Sequence, residues 1–122
     1  MDVSKSDFYA LREFLDRDYK GKPHFEVGNG GLKDTAMMLG ADRYLFTAVN
    51  SNRDEGYNFQ FKRTKAFRIQ DLVYFDYSNG KISVEKGIIK DEKDKEQVQG
   101  LVRLLNSKGY SQMIPNLNDL IK

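Results

Sequence analysis

The sequence predicts an α+β fold, a mostly antiparallel, curled sheet or pseudobarrel flanked by an N-terminal and a C-terminal helix. Three observations carry that expectation. Apolar residues recur at helical spacing near both ends, at Phe8, Leu11 and Leu15 and again at Val98, Leu101, Val102 and Leu105. Between them the period changes to two, most clearly where Tyr57, Phe59 and Phe61 alternate with Asn58, Gln60 and Lys62. The strand-like runs are joined by short turn signals, above all Asn79-Gly80, and strands joined in that way pair antiparallel. Such a sheet must have its apolar face covered or closed on itself.

Taken in order, Ser4 or Ser6 caps the first helix, Phe14 widens its apolar stripe, and Gly21 and Pro23 end it. "HFEVGNGG" reads as a short strand over 24–27 that runs into a flexible loop at Gly28, Gly30 and Gly31. "LKDTAMML" supplies one or two helical turns. "RYLFTAV", residues 43–49, is aromatic and branched, so it predicts a strand leading into the polar loop "NSNRDEG". The alternating strand "YNFQFKR" follows, with a turn near Thr64. Beyond it Phe67 and Ile69 share one face while Arg68 and Gln70 share the other.

Asn79-Gly80 suits the two central positions of a type I′ turn, where both residues take positive φ. That turn sets a register pairing Tyr77 with Ile82, Phe75 with Val84 and Val73 with Lys86. The inward parity of Phe67 and Ile69 continues through Asp71 to Val73. An acid therefore interrupts the apolar face, and a bulge is expected near Asp71 or Leu72. "DEKDKEQVQGLVRLLNSKG" forms the second long helix, acidic in its first turns as the helix dipole favours and closed by Gly109. Gly100 is costly inside a helix and reads as a point of close packing against the sheet. The tail "IPNLNDLIK" predicts a short helix with Leu117, Leu120 and Ile121 facing inward.

At 122 residues, with 39% hydrophobic residues, 8 Phe and 7 Tyr, the chain fits one globular domain spanning 1–122. The absence of cysteine excludes disulfides, thiol catalysis and Cys-ligated zinc. "MDVSKSDFYALREF" lacks the apolar core of a secretory signal, and no apolar run approaches the ~20 residues that cross a bilayer. A soluble, cytoplasmic protein without membrane contact is expected. His24 is the only histidine and stands beside no readable nucleophile. "GNGGLKD" lacks the ending of a phosphate loop, and "SNRDEG" and "DEKDKE" lack calcium-loop spacing. The second reads as a solvated helix face, and Met37 and Met38 as packing residues. No catalytic residue, metal site or cofactor is expected.

The distinctive stretch is "FQFKRTKAFRIQ", residues 59–70. Formal net charge is only +2, from 20 Lys+Arg against 18 Asp+Glu, yet Lys62, Arg63, Lys65 and Arg68 stand together with no acid between them. If Phe59, Phe61, Phe67 and Ile69 point inward, Lys62 and Arg68 emerge on the opposite face and Arg63 and Lys65 lie near the turn. All four cations are then exposed to contact phosphate, and base stacking falls to a tyrosine such as Tyr44, Tyr74 or Tyr110. Tyr74 completes the candidate nucleic-acid site. The competing reading is an edge strand guarded by cations against strand addition.

The segment "GADRYLFTAVNSNRDEGYNFQFKRTKAFRIQDLVYFDYSNGKISV", with the leading helix and the short strands ending in a helix, resembles the small PrgU-type regulators of Gram-positive pheromone-inducible conjugative plasmids. The resemblance implies a PUA-like fold and an RNA-binding, post-transcriptional role that limits expression of plasmid surface adhesins. Two functions are therefore carried forward. One is a non-enzymatic regulator binding single-stranded RNA. The other is a protein-binding accessory factor using an exposed sheet edge or the "NSNRDEG" loop, with an enzyme as the least supported alternative.

Overall fold

The computed structural model describes residues 2–19, 25–27, 42–48, 57–65 and 68–122, with 25–27 and 48 as backbone alone. The readings made for Gly21, Pro23, His24, the glycine loop, residues 32–39, the loop 50–56 and Phe67 lie outside them.

Helix α1, Lys5–Asp18, begins where Ser4 closes a capping box with Asp7. Ser4 Oγ accepts from the Asp7 backbone N–H at 3.1 Å, and the Asp7 carboxylate accepts from the Ser4 N–H at 3.0 Å. Two otherwise unpaired donors are satisfied, and the stripe Phe8, Leu11, Phe14 and Leu15 is buried behind them. The chain then forms β1 (Phe25–Val27), β2 (Arg43–Ala48), β3 (Asn58–Lys65), β4 (Arg68–Ser78) and β5 (Lys81–Lys86). Helix α2, Glu92–Ser107, follows, and single 3-10 turns at Tyr110–Gln112 and Leu117–Ile121 end the chain. The fold is α+β.

The five strands lie in one sheet in chain order. β2 to β5 pair antiparallel, as the turn signals imply, whereas β1 runs parallel to β2. The β4–β5 hairpin has the register set by its turn, with Tyr77 opposite Ile82, Phe75 opposite Val84 and Val73 opposite Lys86. Asn79 and Gly80 both take positive φ there, at 53° and 75°.

One face of the sheet carries Phe46, Phe59, Phe61, Val73, Phe75, Ile82 and Val84, and both helices share its core. Phe59 and Phe75 stack at 4.5 Å between centroids, and Phe8 of α1 reaches Phe59 at 5.2 Å. Offset and tilted aromatic pairs of this kind add to the area they bury. The tail packs at a spacing of three, with Ile114, Leu117 and Leu120 buried. A 3-10 turn brings every third residue onto one line, so Ile121, expected inward, falls off that line and is 47% exposed.

The expected bulge is present. Phe61 faces Val73 while Lys62 faces Asp71, which leaves Leu72 as the extra residue of β4. Leu72 and Val73 are consecutive and both fully buried. Gly87 lies against the bulge, and its N–H donates to the Leu72 carbonyl at 2.9 Å. Gly100, in contrast, packs against nothing close: a Cβ there would meet only the Arg103 guanidinium at 3.9 Å. Its reading as a tight helix–sheet contact is corrected.

Candidate functional site

β3 does not turn at Thr64. It continues to Lys65, and Thr64 pairs with Ile69 inside the ladder. The alternation that buries Phe59 and Phe61 therefore continues to Arg63, which lies on the core face and is only 4% exposed. The exposed position expected for Arg63 is corrected for this reason.

Three carboxylates surround its guanidinium. Nε and Nη2 donate to the two oxygens of Asp42, at 2.9 and 3.0 Å, in the fork geometry that arginine and carboxylate share. Nη1 donates to Asp91 at 3.1 Å and to Asp94 at 2.7 Å. Asp91 is the N-cap of α2 and accepts the Lys93 N–H at 2.8 Å, while Asp94, in the first helical turn, is 1% exposed. The acidic stretch read as a solvated face thus turns two of its carboxylates toward Arg63.

Tyr44 closes the cluster. Its hydroxyl donates to Asp94 at 2.7 Å, and its ring stacks on Phe61 with the Arg63 guanidinium 5.5 Å from its centroid. Burial, and then the hydrogen bond to Asp94, push the Tyr44 hydroxyl well above the usual phenol range. The bonds from Arg63 hold the Asp42 carboxyl below its ordinary value. Asp91 is lowered as well, first by the Lys93 N–H and then by Arg63. The carboxylates converge on a guanidinium, and among the described residues no group of three His, Asp or Glu is arranged to hold a metal ion.

The bulge also divides the remaining cations. Lys62 lies on the outer face opposite Asp71, with Nζ 3.2 Å from Oδ1. Arg68 pairs with Lys65, so it follows the parity of Arg63 and does not share a face with Lys62 as expected. Lys65 and Arg68 are both exposed, and among the described residues neither forms an ion pair. The four cations thus occupy three environments: a buried cluster, a paired outer-face position and an exposed strand end.

Tyr74 is 36% exposed on the outer face. Its hydroxyl donates to Asp71 Oδ2 at 3.0 Å, a bond that raises its pKa before burial adds to the shift. Asp71 therefore stands between Lys62 and Tyr74. The rungs Gln60–Tyr74–Glu85 and Asn58–Asp76–Ser83 border a shallow depression of about 290 Å³. Toward β2, Leu45, Thr47 and Thr64 are buried, so the open part of the outer face is the part around Tyr74. Of the other candidate stacking rings, Tyr44 belongs to the Arg63 cluster and Tyr110 packs on Phe14 with centroids 5.3 Å apart.

No known protein family, curated protein or solved structure matches the chain. Among the described residues no helix is long and apolar enough to cross a membrane.

Proposed function

We propose that this chain is a non-enzymatic, protein-binding accessory factor that works through the outer face of its sheet. The fate of the basic stretch carries the reading. Arg63 is neutralised within the core and Lys62 faces Asp71, while the open surface around Tyr74 carries Asp76 and Glu85. Those carboxylates disfavour a phosphate backbone, and strong nucleic-acid binders make many cationic contacts.

A second reading, RNA binding, rests on Lys65 and Arg68, which face each other at an exposed end of the β3–β4 ladder. In that reading the chain is a cytoplasmic regulator of the kind the PrgU resemblance implies, acting on plasmid adhesin expression. Anisotropy of a labelled single-stranded RNA pool across about 50 to 200 mM salt separates the two, because phosphate-driven affinity falls steeply over that range. Protein binding predicts little RNA affinity at low salt and a stoichiometric partner that survives nuclease treatment. Salt-sensitive RNA binding that is abolished by Lys65→Glu with Arg68→Glu would replace it with the RNA reading.

A further inference from the structure

The outer face around Tyr74 is a sheet surface of defined chemistry. The Tyr74 ring is exposed, and its hydroxyl is held by Asp71, so the ring is a positioned platform. Asp76 and Glu85 flank it across the depression, and among the described residues neither has an ion pair. Asn58, Gln60 and Ser83 lie along the same two rungs, where the Gln60 amide donates to Asn58 Oδ1 at 2.7 Å and accepts from the Thr47 hydroxyl at 3.0 Å. Two lysines border this face: Lys62 is paired with Asp71, and the exposed Lys81 lies opposite Ser78, one rung beyond Asp76 and Ser83 and on the far side of them from Glu85.

We infer that this face receives an arginine side chain from an extended basic segment of a protein partner. The guanidinium lies over the Tyr74 ring and donates to the carboxylates of Asp76 and Glu85. An aromatic face attracts a cation, and a planar guanidinium both stacks on a ring and matches carboxylate geometry, which a lysine ammonium does not. The segment crosses the face and does not add a strand beside β5, because the Asn116 amide already occupies both backbone hydrogen-bonding groups of Val84. This inference rests on the protein-binding reading and names the chemistry of the partner.

The test is fluorescence anisotropy of short labelled peptides against the full chain, using an arginine-bearing peptide and its lysine- and glutamate-substituted counterparts. The arginine peptide is expected to bind saturably and more tightly than the lysine peptide, while the glutamate peptide does not bind. Tyr74→Ala, and separately Asp76→Asn with Glu85→Gln, are expected to weaken it by about tenfold or more with an unchanged urea midpoint. If Tyr74→Ala shifts the urea midpoint, Tyr74→Phe is used beside it, which keeps the ring and is expected to bind within a few-fold of the original chain. Affinity equal to that of the original chain in Tyr74→Ala and in Asp76→Asn with Glu85→Gln, or no binding of the arginine peptide, overturns the inference. If the glutamate peptide binds and Tyr74→Ala abolishes it, the basic occupant is wrong but a protein-binding face stands. If no peptide binds and RNA does, the protein-binding reading fails as well.

Discussion

Arg63 Nη1 donates to Asp94 Oδ1 at 2.7 Å, and this pair, with side chains 5% and 1% exposed, joins β3 to the first turn of α2. A buried charge whose partner is removed is left uncompensated, and the cost is about 3–5 kcal/mol. Arg63→Met is expected to lose stability in that range by equilibrium urea unfolding. Arg63→Lys should recover only part of the loss, because an ammonium cannot reproduce the fork to Asp42 while reaching Asp91 and Asp94. Adding Asp94→Leu to Arg63→Met should restore stability relative to Arg63→Met alone. If the double variant is less stable than that single variant, Asp94 is stabilising the fold by something other than the ion pair.

The same cluster sets an acid response. Asp42 and Asp91 each have a folded pKa below the ordinary value of 3.8, so their contribution to stability is present above about pH 4 and is lost as pH falls through the lower folded values. Urea midpoints measured from pH 6 downward should therefore decline once the pH passes below about 4. The decline should be shallower in Asp42→Asn, which has no carboxylate to protonate at that position. An unchanged slope would mean that other carboxylates, such as Asp7 with its Ser4 bonds, dominate the acid response.

Local signals made much of the fold legible. The Ser4 cap, the α1 and α2 stripes, the Asn79-Gly80 register and the bulge each follow from residues close together in sequence. Arg63 lies inward because β3 carries no turn at Thr64, so the alternation Tyr57, Phe59, Phe61, Arg63 runs on unbroken. Its acidic partners could not be read from spacing, since Asp42, Asp91 and Asp94 lie 21, 28 and 31 residues away. The separation of Arg68 from Lys62 follows from the extra residue at Leu72, which shifts the register with β3. The parallel β1 has three residues and no turn signal that would declare its direction. The depression around Tyr74 is built from three strands, so only pairing across β3, β4 and β5 brings Gln60, Tyr74 and Glu85 together.

Two glycines should respond in opposite directions to alanine. A Cβ on Gly87 would stand 2.1 Å from the Asp71 carbonyl oxygen, far inside contact distance, so the bulge and the strand end beside it cannot both keep their positions. Gly87→Ala should cost about 1–3 kcal/mol or more, the range for forcing atoms into a packed site. Gly100→Ala meets no such obstacle and removes a flexible residue from α2, so it should stabilise the chain by about 1 kcal/mol. Urea unfolding of both variants checks the pair. Loss of stability in Gly100→Ala would restore the close packing that the geometry denies.

Asn116 should protect the last strand of the sheet. Its Oδ1 accepts the Val84 N–H at 3.1 Å and its Nδ2 donates to the Val84 carbonyl at 2.7 Å, so one side-chain amide pairs with β5 as a neighbouring strand would. Unpaired groups along a sheet edge invite another chain to add there. Asn116→Ala releases both Val84 groups and should cost about 1–3 kcal/mol. It should also produce association that grows with protein concentration, seen by light scattering during gel filtration. Asn116→Asp keeps the acceptor for the N–H but sets a carboxylate oxygen toward the Val84 carbonyl, so it should lose stability too. Its added charge, however, should keep the edge from pairing and the protein from associating. Association in the alanine variant without association in the aspartate variant would identify the exposed edge as the cause; equal association in both would assign it to general loss of stability.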